Sequence, residues 1–204
     1  GDGEVLYLEH HRHLAAHLDR LARDEAQLLV VIEHRVHRDQ ELILPDGRQS
    51  RFVREFLEVH LERDGRRIIV FNAHFKSKNN DDPALRLAEA ERAFAIMEAR
   101  TLEFPEALIV LGGDLNDEPG SQTIAVFDEN VAFNRVTTEL APGLGTYYGF
   151  TGSNQPTVLD HIIGIDTETA FFVPGSTQVL RNGENAGLFG SDHAGLRATF
   201  GFAP

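Results

Sequence analysis

The stretch that decides the fold covers residues 67–117 and reads RIIVFNAHFKSKNNDDPALRLAEAERAFAIMEARTLEFPEALIVLGGDLND. Residues 67–74 and 107–111 are apolar runs of the length that buried strands have. Between them, residues 82–100 repeat apolar side chains at helical spacing, with Pro83 in the first turn. A strand, a helix and a second strand in this order predict a layered α/β protein.

The flanking sequence predicts further elements of the same kind. Leucines and alanines at helical spacing indicate an amphipathic helix over residues 7–26, followed by a short strand at 28–32. Two turns, Pro45-Asp46-Gly47 and Asp64-Gly65, predict hairpins. The first joins residues 42–44 to 52–61, and the second joins a strand at 56–61 to the strand at 67–74. More strands are expected at residues 157–165, 170–173 and 195–202. No linker, repeat or low-complexity tract interrupts the 204 residues, so a single domain is expected.

The composition excludes several classes of protein. No apolar run approaches the roughly 18 residues of a membrane-spanning helix, and the absence of cysteine excludes disulfides and thiolate chemistry. With 19 Lys and Arg against 32 Asp and Glu, the formal net charge is -13, which disfavours nonspecific coating of nucleic acid. A phosphoester substrate stays open because a bound divalent cation inverts the local field. The chain begins without Met and shows no basic-then-apolar leader, so its localisation is left open.

Four polar clusters each lie at the end of an apolar strand. The clusters read NAHFKSK at residues 72–78, GGDLND at 112–117, LDHI at 159–162 and GSDH at 190–193. Strand ends that converge at one side of a sheet form a cleft, and we therefore expect these clusters to meet.

The first two clusters offer binding groups on shared faces of extended chain. Asp114 and Asn116 alternate, and together they present one charged and one neutral oxygen, as hard cations such as Mg²⁺ or Mn²⁺ prefer. An ordinary Gly-Asp-x-Asn turn would have the same sequence. Asn72, His74 and Lys76 also alternate, which makes Lys76 a candidate phosphate contact, although His74 could equally be a hydrogen-bonded core histidine.

The last two clusters offer acid–base groups. His193 has a side chain suited to proton abstraction from water at neutral pH, and the adjacent Asp192 would point to the opposite face and ligate metal or orient another histidine. An Asp-His pair is also a common surface feature. Asp160 lies among apolar residues, where a carboxylate requires a partner such as histidine. His161 points the other way and is predicted to be structural.

In this order, the four clusters resemble the endonuclease/exonuclease/phosphatase superfamily of DNase I-like phosphoesterases, most clearly over residues 51–202. The resemblance implies an α/β (α+β) fold, in which a two-sheet β-sandwich is flanked by helices in four layers. It also implies a Mg²⁺- or Mn²⁺-dependent hydrolase, with Ca²⁺ a further candidate, acting on a phosphodiester or phosphomonoester of nucleic acid or a small molecule.

The resemblance also implies roles for individual residues. His193 would be the general base, Asp160 its partner and His74 a donor to a phosphoryl oxygen. Asp114 and Asn116 would orient the nucleophile and the phosphate, with Asn72 and Lys76 as further substrate contacts, and Asp192 and Asp114 would help to hold the metal.

The chain departs from the family pattern at its front. Members normally begin with a strand ending in a metal-facing Asn, then a helix and a strand ending in a metal-binding Glu, and this chain has too few residues for that portion. Glu33 has about the right local context for that Glu. In the alternative alignment, residues 28–37 are a later strand and no metal Glu remains. An inactive binding protein, or a homo-oligomer in which a second copy supplies the lacking portion, is the alternative to an active enzyme.

Overall fold

The computed structural model describes residues 4–8, 29–149, 156–182 and 187–203. The strands are β1 (Glu4–Leu8), β2 (Val30–Val36), β3 (Leu42–Ile43), β4 (Gln49–Ser50), β5 (Leu57–Arg63), β6 (Arg66–His74), β7 (Leu108–Asp114), β8 (Phe133–Arg135), β9 (Asp160–Ile165), β10 (Ala170–Phe172), β11 (Gln178–Leu180) and β12 (Gly195–Phe202). The described helices are α1 (Pro83–Glu103), α2 (Gln122–Asp128) and a 3₁₀ turn at Val136–Glu139.

Two sheets account for most of these strands. The larger has six strands in the order β2-β5-β6-β7-β9-β8, and the smaller has the order β1-β12-β10 with β11 also paired to β12. Strands β6 and β7 are parallel, and α1 connects them, whereas the other neighbours in the large sheet are antiparallel. The predicted strand–helix–strand unit is therefore confirmed at the centre of the fold.

The large sheet buries both of its faces. On one face, side chains such as Ile69, Phe71 and Ile109 pack with the apolar face of α1 and with α2. On the other face, alternate side chains such as Val70 and Val110 pack against the small sheet. Helices, six-stranded sheet and four-stranded sheet thus form three successive layers in the described residues. This mixed α/β sandwich agrees with the fold class expected from the sequence, and the described residues supply three of the four expected layers.

Helix α1 begins and ends where local chemistry favours it. The Asp82 side chain accepts a hydrogen bond from the Leu85 N–H, and Pro83 occupies the first turn. At the other end, the Phe104 N–H donates to the Arg100 carbonyl, one residue before Pro105. Within the described residues, no helix is long and apolar enough to cross a membrane.

The structure differs from the sequence predictions in four places. Tyr7 and Leu8 belong to β1, paired with β12, and the rest of the predicted helix at 7–26 lies outside the described residues. The strand predicted at 28–32 lies later in the chain than expected, because β2 covers Val30–Val36 and forms the edge of the large sheet. The second arm of the first hairpin is β4, which is shorter and earlier than the predicted 52–61. The described elements that the pattern missed are β1, α2, β8, β11 and the 3₁₀ turn.

Candidate active site

Three polar side chains stand side by side across neighbouring strands of the large sheet. His74 on β6 is in register with Asp114 on β7, and Asp114 is in register with Asp160 on β9. Strands β6 and β7 end at His74 and Asp114, and strand β9 begins at Asp160, so all three residues lie at strand ends. The parallel pairing of β6 with β7 brings the first two residues together, because the α1 crossover returns the chain to the same end of the sheet.

Strand alternation directs these side chains to the layer between the two sheets. Val70 on β6 and Val110 on β7 face the small sheet, and residues an even number of positions away face the same side. His74 and Asp114 therefore project from the large sheet toward the segment that precedes β12.

His193 reaches the row from that segment. Its Nδ1 lies 2.7 Å from Asp160 Oδ2, and its Nε2 lies 4.0 Å from Asp114 Oδ2. The buried Thr146 fixes the approach, because its hydroxyl accepts from the N–H of Asp160 and its carbonyl accepts from the N–H of Ala194. The Tyr147 ring packs beside the imidazole, with ring centroids 4.8 Å apart. The partner that Asp160 was expected to need is thus His193.

Asp114 is the central carboxylate of the group. It is 6% exposed, and its Oδ2 lies 3.4 Å from His74 Nε2. Burial, together with the nearby charge of Asp160, raises its pKa to about 6. Asp114, Asp160 and His193 each offer a ligand atom within 4.8 Å of the others, so they could hold a metal ion. The donor set suits a divalent cation, which would offset the repulsion between the two carboxylates.

The protonation of His193 is biased by its neighbours. Burial alone would lower the pKa of the imidazole, but the Asp160 hydrogen bond and the charges of Asp160, Asp114 and Asp192 raise it. The bond from Nδ1 to Asp160 leaves Nε2 on the side of the ring that faces Asp114. This arrangement can accept a proton from a molecule bound at the Asp114 carboxylate.

Asn116 shapes the turn after β7. Its backbone has a φ of 53°, its N–H donates to Asp114 Oδ1 at 2.8 Å, and its side-chain Nδ2 donates to the Phe75 carbonyl at 3.2 Å. Asn116 therefore orients Asp114 and joins the turn after β7 to the chain just beyond His74.

Gly113 allows β6 and β7 to approach closely at the site. Its φ is 142°, and an added Cβ would lie 2.0 Å from the Ala73 carbonyl oxygen. Only glycine fits this position without displacing the strand that carries His74.

Three other predicted site residues occupy less direct positions. Asn72 is buried on β6, one alternate position before His74. Lys76 folds back on its own loop, where Nζ donates to the carbonyls of Ser77 and Asn79. Asp192 is half-buried beside His193, and its carbonyl accepts from the Tyr148 N–H.

Glu33 lies elsewhere. It is on β2, where its carboxylate is paired with Arg35 at 2.7 Å, and β5 and β6 separate it from β7. At a strand spacing of about 4.8 Å, three strand positions put it roughly 14 Å from β7. The structure therefore places β2 (Val30–Val36) as an edge strand next to β5, as in the alternative alignment, and brings no glutamate into the Asp114 group within the described residues.

Arg54 is a neighbour of the site that sequence reasoning did not single out. Its Nη1 donates to the Phe75 carbonyl at 2.9 Å, and its positive charge counters part of the effect of burial on the pKa of Asp114. Its sequence context, FVREF at residues 52–56, reads as an ordinary strand, and only the contact with the chain after His74 distinguishes it.

The fold is similar to that of several solved structures. No protein-family model and no curated protein sequence matches the chain. Among solved structures, the human Nocturnin catalytic domain with a bound sulfate anion has a TM-score of 0.58 at 17% identity, over 86% of this chain and 60% of that one. An endonuclease/exonuclease/phosphatase family protein from Bacteroides thetaiotaomicron has a TM-score of 0.58 at 16% identity, over 86% and 66%.

A truncated TDP2 from Caenorhabditis elegans has a TM-score of 0.61 at 17% identity, over 99% of this chain and 85% of that one. The chain spans less than two thirds of the first two structures. The similarity confirms, at the level of fold, the resemblance found in the sequence. The chain has the DNase I-like fold of the endonuclease/exonuclease/phosphatase proteins.

Proposed function

We propose that the protein is a divalent-metal-dependent phosphoesterase that hydrolyses a P–O bond with water. The observation that carries the proposal is the row of His74, Asp114 and Asp160 across three strands, met by His193 hydrogen-bonded to Asp160. These groups suit in-line attack of water on phosphorus. An imidazole can accept the proton of the water, and a nearby guanidinium and a cation held by the carboxylates would stabilise the negative charge that develops.

His193 is the general base in this proposal. Asp160 accepts a hydrogen bond from the Nδ1–H group and fixes the tautomer, so that the Nε2 lone pair faces the Asp114 side of the cleft. Water attacks phosphorus as its proton passes to Nε2, and the bond from phosphorus to the leaving oxygen breaks. The imidazolium that results is stabilised by the carboxylate of Asp160.

Asp114 and Asp160 are the proposed carboxylate ligands for Mg²⁺ or Mn²⁺, with Asp192 as a further ligand from its half-buried position. The bound cation would supply positive charge at the phosphoryl oxygens. The cation would also attract the anionic phosphoester locally, although the chain as a whole has a formal net charge of -13.

The phosphoryl group would contact the cationic side of the cleft. His74 lies 3.4 Å from Asp114 Oδ2 and is the proposed donor to a phosphoryl oxygen, and Arg54 is positioned to add a second positive charge. Asn72, Lys76 and Asn116 stay predicted substrate contacts. Both a phosphodiester and a phosphomonoester are compatible with this chemistry, and nucleic acid and small phosphorylated molecules are both candidate substrates.

Hydrolysis of bis-p-nitrophenyl phosphate and of p-nitrophenyl phosphate, each with Mg²⁺, Mn²⁺, Ca²⁺ or EDTA, tests the proposal. We expect turnover with Mg²⁺ or Mn²⁺ that EDTA abolishes and that His193→Asn reduces by roughly 10²- to 10⁴-fold. His34→Asn, a substitution of an exposed histidine on β2, is the matched control and should leave turnover unchanged. Turnover that survives His193→Asn would refute the role of this site.

A catalytically impaired binding protein is the second candidate, and the position of Glu33 outside the Asp114 group favours it. Val31 and Ile32 on the edge strand β2 are exposed, which leaves an apolar edge where a partner or a second copy could add. Calorimetry that detects no Mn²⁺ binding, together with a dimer in light scattering, would favour this alternative. A monomer that binds Mn²⁺ and turns over substrate would exclude it.

A further inference from the structure

We propose that Arg86 and Glu89 on α1 are positioning residues for the proposed reaction, because together they hold the Phe75–Lys76 segment that follows His74. This inference rests on the proposed phosphoesterase function, and it assigns a role to two side chains outside the metal and proton-transfer groups. Both residues are almost completely buried, with exposures of 3% and 0%, although both carry ionisable groups.

The two side chains bind opposite ends of one residue. Glu89 Oε2 accepts from the Lys76 N–H at 2.6 Å, and Arg86 Nη1 donates to the Lys76 carbonyl at 3.1 Å. They are three positions apart on α1 and therefore lie on neighbouring turns of one helix face. The main chain of Lys76 is thus held at both of its polar groups by the same helix.

The preceding residue, Phe75, connects this hold to the site. Its N–H donates to the Asp114 carbonyl at 3.0 Å, and its carbonyl accepts from both Arg54 and Asn116. Every backbone polar group of Phe75 and Lys76 is therefore hydrogen-bonded. A displacement of this dipeptide would move His74, Arg54 and the Asp114 turn relative to one another.

Glu89 also reaches the chain segment that carries Arg54. Its Oε1 accepts from the Val53 N–H at 2.8 Å, so one carboxylate joins residue 53 to residue 76. Arg86 also binds the loop that follows β7, because its Nε donates to Asp117 at 3.0 Å, and its Nη1 donates to Asp81 at 2.7 Å. Three loops at the rim of the site therefore meet on one face of α1.

The electrostatics of Glu89 support a role other than stabilisation of the fold. Burial raises its pKa to about 7, and the two backbone N–H bonds and the charges of Arg54 and Arg86 only partly counter that effect. The charged form of Glu89 is therefore less favourable in the folded protein than in water. We therefore expect Glu89 to position the two loops beside the candidate site rather than to stabilise the fold.

Glu89→Gln tests the inference with little change in size. A glutamine can accept one of the two N–H bonds with its oxygen, but it turns an NH₂ group toward the other. Hydrogen exchange, followed by mass spectrometry on peptides that cover residues 50–56 and 74–80, should become faster in both peptides. We expect kcat with saturating Mn²⁺ to fall about 10- to 100-fold. The Mn²⁺ affinity should change less than twofold, because Glu89 makes no hydrogen bond to the proposed ligands Asp114, Asp160 and Asp192.

Two further variants make the test specific. Arg86→Lys loses the guanidinium bonds to Lys76 and Asp117, so exchange should rise in residues 74–80 but not in 50–56. Glu98→Gln, at an exposed position later on α1, is the matched control and should leave exchange and kcat unchanged.

Several results would overturn the inference. These are an unchanged exchange rate in Glu89→Gln, faster exchange with an unchanged kcat, or an equal loss of kcat and Mn²⁺ affinity. Absence of metal-dependent hydrolysis by the wild-type protein would instead refute the proposed function, and in that case the exchange rates still report whether Arg86 and Glu89 hold the two loops.

Discussion

Replacement of Glu58 should reveal a large, pH-dependent contribution to stability from a group remote from the candidate site. Glu58 on β5 is 0% exposed, and its carboxylate is bonded to His37 at 2.7 Å, to His60 at 2.5 Å and to Arg100 at 2.6 Å. Burial opposes the charged form, but these three hydrogen bonds outweigh it and lower the pKa of Glu58 from 4.5 to about 2.

The sign and size of the effect follow from that shift. A carboxyl whose pKa is lower in the folded state stabilises the protein above its unfolded pKa, and the contribution is lost as the pH falls toward the folded value. A shift of this size corresponds to roughly 3 kcal/mol at pH 7 and to about half of that at pH 3. Glu58→Gln also leaves the Arg100 guanidinium without its buried partner, so the pH 7 loss should be at least about 3 kcal/mol.

Urea unfolding of the wild-type protein and of Glu58→Gln at pH 7 and pH 3 measures this contribution. We expect the difference in unfolding free energy between the two proteins to shrink by about half at the lower pH. Glu62→Gln, at an exposed position on the same strand, should cost less than about 0.5 kcal/mol at either pH. A loss below about 1 kcal/mol at pH 7, or one independent of pH, would refute the assignment of the lowered pKa to these bonds.

Two further predictions concern the candidate site. Because burial and Asp160 raise the pKa of Asp114 from 3.8 to about 6, its ionised form destabilises the metal-free protein above that pH. Asp114→Asn should therefore stabilise the protein in EDTA at pH 8 by up to about 3 kcal/mol while Mn²⁺ binding is lost, and a lower melting temperature would contradict this. Gly113→Ala should destabilise the protein by about 3 kcal/mol or more in urea unfolding, since the added Cβ meets the Ala73 carbonyl. Gly195→Ala, where the nearest atom is 3.3 Å from the added Cβ, should cost clearly less, and equal losses would count against a close backbone approach at Gly113.

The centre of the fold was predictable because its patterns are long and uninterrupted. The runs that became β6 and β7 are apolar on both faces, as expected of strands buried between helices and a second sheet. Helix α1 repeats its apolar positions over five turns and carries Asp82 and Pro83 at its start. By contrast, α2 has seven residues and β8 and β11 have three each, too few for a periodicity to be distinguished.

The sequence predicted that the main side chains of the candidate site would lie together, and the structure brings them together, but their catalytic roles stay predictions. His74 and Asp114 end their strands and Asp160 begins its strand, so their convergence could be inferred from strand ends alone. Arg54, Arg86 and Glu89 could not be inferred in this way, since their relevance arises from contacts with backbone groups far away in the chain. Lys76 was expected to share the direction of His74, but β6 ends at residue 74 and alternation no longer applies beyond it.

The neighbouring residues Asp160 and His161 give β9 a means of keeping its register. His161 is 1% exposed on the helix-facing side, where its ring nitrogens lie 3.1 Å from the Thr137 hydroxyl and 3.0 Å from the Asp117 carbonyl. A slip of β9 by one residue would reverse both side chains, taking the carboxylate from His193 and leaving two buried polar groups without their bonds. The histidine that takes no part in the proposed chemistry thereby makes the misaligned strand unfavourable and keeps the carboxylate on the side of the sheet where His193 can reach it.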